Sequence, residues 1–163
     1  MPNYLAGYSE SLQIQASALL NAGKAGEVLA QRYPQVNTIR TDGDLRDYVG
    51  ELKSRYMRNA PVISKVAYDT KLQVMKHALG THTTVRRVQG SQIKTKHEIR
   101  VASIFKDTPQ DFLTMIVVHE LAHLKIAEHD KAFYQLCTHM EPRYHQLEFD
   151  LRLYLTHQEM ISA

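Results

Sequence analysis

Cysteine is nearly absent: Cys137 is the single thiol in 163 residues. One thiol excludes an internal disulfide and a cysteine-rich structural metal site, and it points to the reducing cytosol. Long apolar runs are missing as well. The stretch Met115 to Val118 is only a few residues long, whereas a membrane-spanning helix needs about 20. At Met1-Pro2-Asn3-Tyr4-Leu5 no basic leader precedes an apolar run, so no export signal is expected. Five prolines, 23% charged and 44% hydrophobic residues rule out fibrous and disordered compositions. A chain of this length can bury a core of its own, and a single domain over residues 1–163 is expected.

Charge of either sign is modest, with a net of +3, too little to demand a polyanionic partner. It is unevenly spread. Between Lys71 and Arg100 lie Lys71, Lys76, Arg86, Arg87, Lys94, Lys96 and Arg100 against one acid, Glu98. Such a run is either a surface for nucleic acid or the lysine-protected, solvated face of strands; the second is the commoner arrangement.

The pattern along the chain predicts an α+β protein. Leu12, Ala16, Leu19, Leu20, Val28 and Leu29 recur at helical spacing after Ser9, a suitable N-cap, with a break near Gly23 and Gly26. Leu45, Tyr48, Val49, Leu52 and Tyr56 mark a second amphipathic segment ending near Asn59-Ala60-Pro61. The first 60 residues are thus a helical part. From Val62 to Phe105 alternation takes over, at Val66 and Tyr68, Thr84 to Val88 and Ile99 to Ala102, with a turn at Gln89-Gly90-Ser91-Gln92. This predicts a small antiparallel sheet. Lys71 to Ala78 fits strand or helix equally.

A further helix is announced by Thr108 as N-cap, Pro109 at the first position and Asp111 in the first turn, and should run to about Ile126. Phe112, Met115, Ile116, Val118 and Ala122 make it too apolar for an exposed helix. That makes its ionisable residues informative, because burying a charge is costly unless it is paired or bound to a metal. His119 and His123, four apart, lie on one face and can share a tetrahedral zinc, while Glu120 stands beside the first ligand as general base for a water molecule. A His-Glu-x-x-His string arises by chance in about three of a hundred chains of this composition.

His129 lies six residues past His123, about 240° round a continuous helix. It reaches the metal only if the helix ends near Ala127-Glu128 and the chain turns back. Asp130 is a good N-cap for a following helix carrying Phe133, Leu136, Cys137 and Met140, so the break is expected. Three histidines with an open fourth position define a catalytic rather than a structural site, with one Zn2+ per chain. Asp130, Glu141 and Glu148 are the other candidates for third ligand. His139 and His145 are expected on the surface or behind the ligands, and Tyr134, Tyr144 or Tyr154 are candidates to stabilise an oxyanion.

The run Met115 to Lys125, then Glu128 to Tyr134 and His139 to Tyr144, resembles the YgjP-like metallopeptidases, which are similar in turn to SprT-like and minigluzincin zinc peptidases. The likeness covers the whole chain and is tightest from Phe105 to Leu155. It implies a zincin-like fold with the sheet packed on the active helix, His119, His123 and His129 as zinc ligands, Glu120 as general base, and a peptide or protein substrate. Many members carry a Trp-Gly-Ser-Cys-like motif where this chain has Leu79-Gly80-Thr81-His82-Thr83. The zinc ribbon that many SprT-like relatives append has no cysteines here. A metzincin would place glycine where Ile126 stands.

A zinc metallopeptidase is therefore the leading expectation. The alternatives are a metal-dependent endoribonuclease, since YbeY-type enzymes share the histidine spacing but lack the glutamate, and a non-catalytic, zinc-stabilised module that binds nucleic acid or another partner through the basic strands.

Overall fold

A computed structural model describes residues 4–72, 80–89 and 92–162. Three helices come first: α1 (Glu10–Asn21), α2 (Ala25–Arg32) and α3 (Asp42–Tyr56). The Ser9 side chain accepts from the Leu12 N–H at 3.3 Å, capping α1 as its residue type suggests. The break falls at Gly23, whose φ of 70° is cheap for glycine alone. Gly23 N–H donates to Leu20 O and Lys24 N–H to Leu19 O, which satisfies the carbonyls left open at the helix end. Thr41 caps α3 through the Asp44 N–H at 3.0 Å, and Leu45, Val49 and Leu52 form its buried face.

The strands are β1 (Ile63–Asp69), β2 (Gly80–Gln89) and β3 (Gln92–Ala102), in the order β1-β3-β2. The β2–β3 hairpin is antiparallel, with Gln89 opposite Gln92 and Gly80 opposite Val101. However, β1 pairs with β3 in parallel, Val66 opposite Ile99 and Tyr68 opposite Val101. The sheet is therefore mixed rather than antiparallel throughout. The chain leaves β1, lays β2 down on the far side, and returns β3 into the gap, so β1 and β3 point the same way. Residues 73–79, which take in most of the ambiguous segment Lys71 to Ala78, and Gly90-Ser91 of the turn lie outside the described residues, as do the side chains of most of the basic run. Of that run, Arg100 is not free for an anion: it lies 3.5 Å from both Asp69 and Glu98.

A 3₁₀ turn (Ser103–Lys106) leads to α4 (Gln110–Ala122), α5 (Lys131–Met140) and α6 (Tyr144–Ser162). Thr108 does not cap α4. Its hydroxyl donates to backbone carbonyls at Phe105 and Pro109, and Pro109 is the N-cap, held by a bridge to Val36. Every residue of α4 from Met115 to Ala122 is buried. Ile99 and Val101 of β3, Phe133 and Cys137 of α5, and Tyr144, Leu147 and Leu151 of α6 complete the core around it. None of the described helices is long and apolar enough to cross a membrane.

One polar cluster inside this packing joins the N-terminal helices to α6. Asp150, 1% exposed, accepts from the Tyr33 hydroxyl, from Arg32 at 2.8 Å and from Gln146 at 3.1 Å. Changing Asp150 to Ala removes all three bonds and leaves the Tyr33 hydroxyl dry. Urea unfolding should show a loss of about 2–3 kcal/mol; a loss below about 0.5 kcal/mol would mean the cluster does not hold α2 against α6.

Candidate metal centre

The last turn of α4 decides where the ionisable side chains go. The helix ends at Ala122, earlier than the expected Ile126, with His123 as its C-cap. The turn then tightens, with Leu124 N–H donating to Leu121 O and Lys125 N–H to Ala122 O, the i+3 pattern common at helix ends. The chain reverses before Asp130, whose side chain accepts from the Phe133 N–H at 2.9 Å. That cap fixes the start of α5 and places His129 one residue before it.

All three histidines meet. Their nearest ligand atoms lie within 4.8 Å of one another, with His123 Nε2 3.2 Å from His119 Nε2 and 2.9 Å from His129 Nε2. Two imidazole nitrogens on one tetrahedral zinc stand about 3.3 Å apart, so the two pairs through His123 already have a spacing that suits a single small ion.

The ring tautomers agree with that use. His123 Nδ1 is 3.0 Å from Ile126 O; a carbonyl only accepts, so Nδ1 carries the proton and Nε2 presents its lone pair. His119 Nδ1 lies 2.6 Å from the Tyr144 hydroxyl. Burial, with smaller contributions from the charges of His123, His129 and Arg152, lowers His119 to about 3, and burial lowers His123 as well. His119 is therefore neutral at any ordinary pH, and the shift at His123 favours its neutral form as well. Phe133 packs against all three rings, with centroids 5.0, 4.5 and 5.0 Å from His119, His123 and His129.

Glu120 is 1% exposed and its Oε2 has no hydrogen-bond partner. Burial alone pushes its carboxyl up to about 8. An orphaned, buried carboxylate oxygen on the residue that directly follows His119 fits a nearby cation with its bound water, whose charge favours the ionised form. The residues therefore fit a divalent metal, which His119, His123 and His129 could hold.

The remaining candidates are engaged elsewhere. Asp130 caps α5, Glu141 pairs with Arg143 at 2.8 Å, and Glu148 accepts from the Tyr8 hydroxyl at 3.3 Å. His139 packs edge-on against Tyr56, and His145 lies beside Tyr134 and Tyr144. Tyr154 packs on Phe112, away from the histidines. Tyr144 faces the far nitrogen of His119 rather than the open side, so it orients a ligand instead of stabilising an oxyanion. Burial, reinforced by the Glu148 carboxylate, holds its phenol far above the ordinary range, leaving it a permanent hydrogen-bonding group. The Ile126 carbonyl was not foreseen either, because a backbone acceptor leaves no mark in residue type.

A sheet, a buried His-Glu-x-x-His helix and a third histidine before the next helix cap together suit a metal-dependent hydrolase centre. A family model described as YgjP-like, metallopeptidase domain matches residues 4–154, and the chain belongs to that family, which places it among the metal-dependent hydrolases. It is 59% identical over 153 residues to the UTP pyrophosphatase of Escherichia coli (strain K12), covering 94% of this chain and 92% of that protein. No solved structure matches it significantly.

If Tyr144 fixes the His119 ring, Tyr144→Phe should weaken zinc binding by about 10-fold or more while His139→Ala leaves it unchanged, as read by competition with a chromogenic chelator. Equal affinity in the parent and the Tyr144 variant would remove Tyr144 from the site.

Proposed function

We propose that this chain hydrolyses UTP to UMP and pyrophosphate at the three-histidine centre. The observation that carries the hydrolytic half is the buried, unpartnered Oε2 of Glu120 directly after His119. The nucleotide half rests on the identity with the Escherichia coli UTP pyrophosphatase over nearly the full length of both chains.

A divalent ion held by His119, His123 and His129 would supply Lewis acidity and bring the pKa of a water molecule toward about 7. Glu120 takes the proton of the attacking water. The water oxygen bonds to the α-phosphorus, the bond from that phosphorus to the bridging oxygen breaks, and pyrophosphate leaves with the electron pair. Burial raises the Glu120 carboxyl, and the charge of a bound ion would offset that burial, so that Glu120 is ionised and able to accept a proton when the metal is in place.

The second reading is peptide-bond hydrolysis, favoured by the glutamate after the first histidine and by the metallopeptidase description of the family. The apparatus is the same, with a tetrahedral carbon in place of phosphorus, and the partner is then a peptide or protein.

Glu120→Gln separates the chemistry from the metal. It should retain the parent's metal content while the rate of pyrophosphate release from UTP falls by about 10²–10⁴-fold. Full activity in this variant would exclude Glu120 as the base. A metal-loaded parent that releases no pyrophosphate yet cleaves a peptide library would put the second reading first.

A further inference from the structure

We propose that Glu148, acting through Tyr144, is the positioning residue that decides which nitrogen of His119 carries the proton, and so which lone pair His119 offers a metal; this rests on the three-histidine centre, whichever substrate it serves. The contact behind His119 leaves the direction of its hydrogen bond open. Nδ1 and the Tyr144 hydroxyl are 2.6 Å apart, and either atom could donate. The direction matters because Nε2 is the nitrogen that faces His123, at 3.2 Å. A neutral imidazole offers Nε2 to an ion only when its proton sits on Nδ1. Tyr144 must then accept, and its own hydroxyl proton needs another acceptor. Tyr144 is 0% exposed, so bulk water does not supply one.

Helix α6 supplies it. Glu148 follows Tyr144 by four residues, on the same face one turn on, and its carboxylate hydrogen-bonds the Tyr144 hydroxyl. The direction of each bond in the row can be assigned from its far end. A guanidinium only donates, so in the hydrogen bond between Arg152 and the Tyr8 hydroxyl Tyr8 accepts. Tyr8 gives its own proton to Glu148 Oε1, at 3.3 Å. An ionised carboxylate only accepts, so Glu148 takes the Tyr144 proton as well. The Tyr144 oxygen is left with lone pairs for His119, and Nδ1 must donate. The row therefore runs Arg152, Tyr8, Glu148, Tyr144, His119, and it ends in an Nε2 lone pair on the side where the other two ligands converge.

A carboxylate that bonds directly to the far nitrogen of a metal-bound histidine fixes the ring and raises its basicity as a ligand. Here one hydroxyl stands between the two, and it carries the same constraint because it has a single proton to give. The segment ahead of α1 takes part in this. It is seated on α6 by the Tyr4 hydroxyl, which donates to Glu159 at 3.0 Å, and by Arg152 Nη1, which donates to the Tyr4 carbonyl at 3.3 Å. That seating brings Tyr8 to Glu148, so residues remote in sequence from the His-Glu-x-x-His helix bear on its first ligand through a continuous row of hydrogen bonds.

The metal-free protein is the informative state, because with no ion bound the His123 nitrogen 3.2 Å away favours a proton on His119 Nε2 instead. Proton–nitrogen correlation NMR of the imidazoles, with the His119 signals identified by their loss in His119→Asn, should show the Nδ1–H tautomer in the parent. It should move toward Nε2–H in Glu148→Met, which keeps the length of the side chain and removes the acceptor. Glu148→Gln keeps an acceptor oxygen and should hold the parent's tautomer. Zinc affinity, read by competition with a chelator, should fall by about 10- to 100-fold in Glu148→Met and by less in Glu148→Gln. A role in packing alone would lower the melting temperature and leave the tautomer where it is. Glu148→Ala answers the same question if Glu148→Met does not fold. An unchanged tautomer or an unchanged zinc affinity in the folded variant would overturn the proposal, as would Nε2–H in the metal-free parent. A parent that shows Nδ1–H and yet binds no zinc would instead overturn the metal-centre reading, with the row of hydrogen bonds left standing.

Discussion

Burying α4 on all sides is the constraint to which the rest of the fold responds. From Met115 to Ala122 no residue exceeds 7% exposure, so the helix needs β3, α5 and α6 as walls around it. A helix buried all round has no solvent face on which to leave polar side chains. His119 and Glu120 therefore pass into low dielectric with the apolar residues. Desolvation drives the imidazole down to about 3 and the carboxyl up to about 8, so without a cation both rest uncharged near neutral pH. A divalent ion on the histidines changes one of these more than the other: it leaves the imidazoles neutral, as ligands, and favours ionisation of the carboxyl. The same burial that makes the polar pair expensive thus makes its chemistry depend on metal.

What could be read from the sequence tracks how local each determinant is. The caps Ser9 and Asp130 and the glycine break at Gly23 are decided within a few residues, and each stands where its residue type put it. Thr108 is an instructive exception. Its type favoured capping α4, but the bridge between Val36 and Pro109, set by a segment far away in sequence, fixed the helix start one residue later. Strand direction was equally hidden. Period-2 alternation says which faces are buried and nothing of which neighbour a strand takes, so the alternation at Val66 and Ile99 fits a parallel partner as well as an antiparallel one.

The site divides the same way. The three histidines and Glu120 were visible because their spacing is itself the signal. Their supports were not. Tyr144 was visible as a residue type, but its placement behind His119 depends on how α6 crosses α4. A backbone acceptor such as Ile126 O has no residue-type signature at all.

The third ligand shows how one geometric problem admits different solutions. Two ligands come from a rigid, buried helix, while His129 is exposed and comes from the turn that follows. A metzincin bends its chain at this point with glycine, using backbone freedom. Here Ile126 occupies that position, and the turn is built from i+3 bonds at Leu124 and Lys125 together with the Asp130 cap. The substitution has a gain as well as a steric demand. With the helix ended at Ala122, the Ile126 carbonyl turns back to accept from His123 Nδ1, so the residue that forms the bend also sets the tautomer of the second ligand. Phe133, held by the same cap, then closes against all three rings. One short reversal therefore delivers the third ligand, fixes the second and packs the floor beneath them, which ties the metal-binding geometry to the start of α5 as firmly as to the helix that carries His119 and His123.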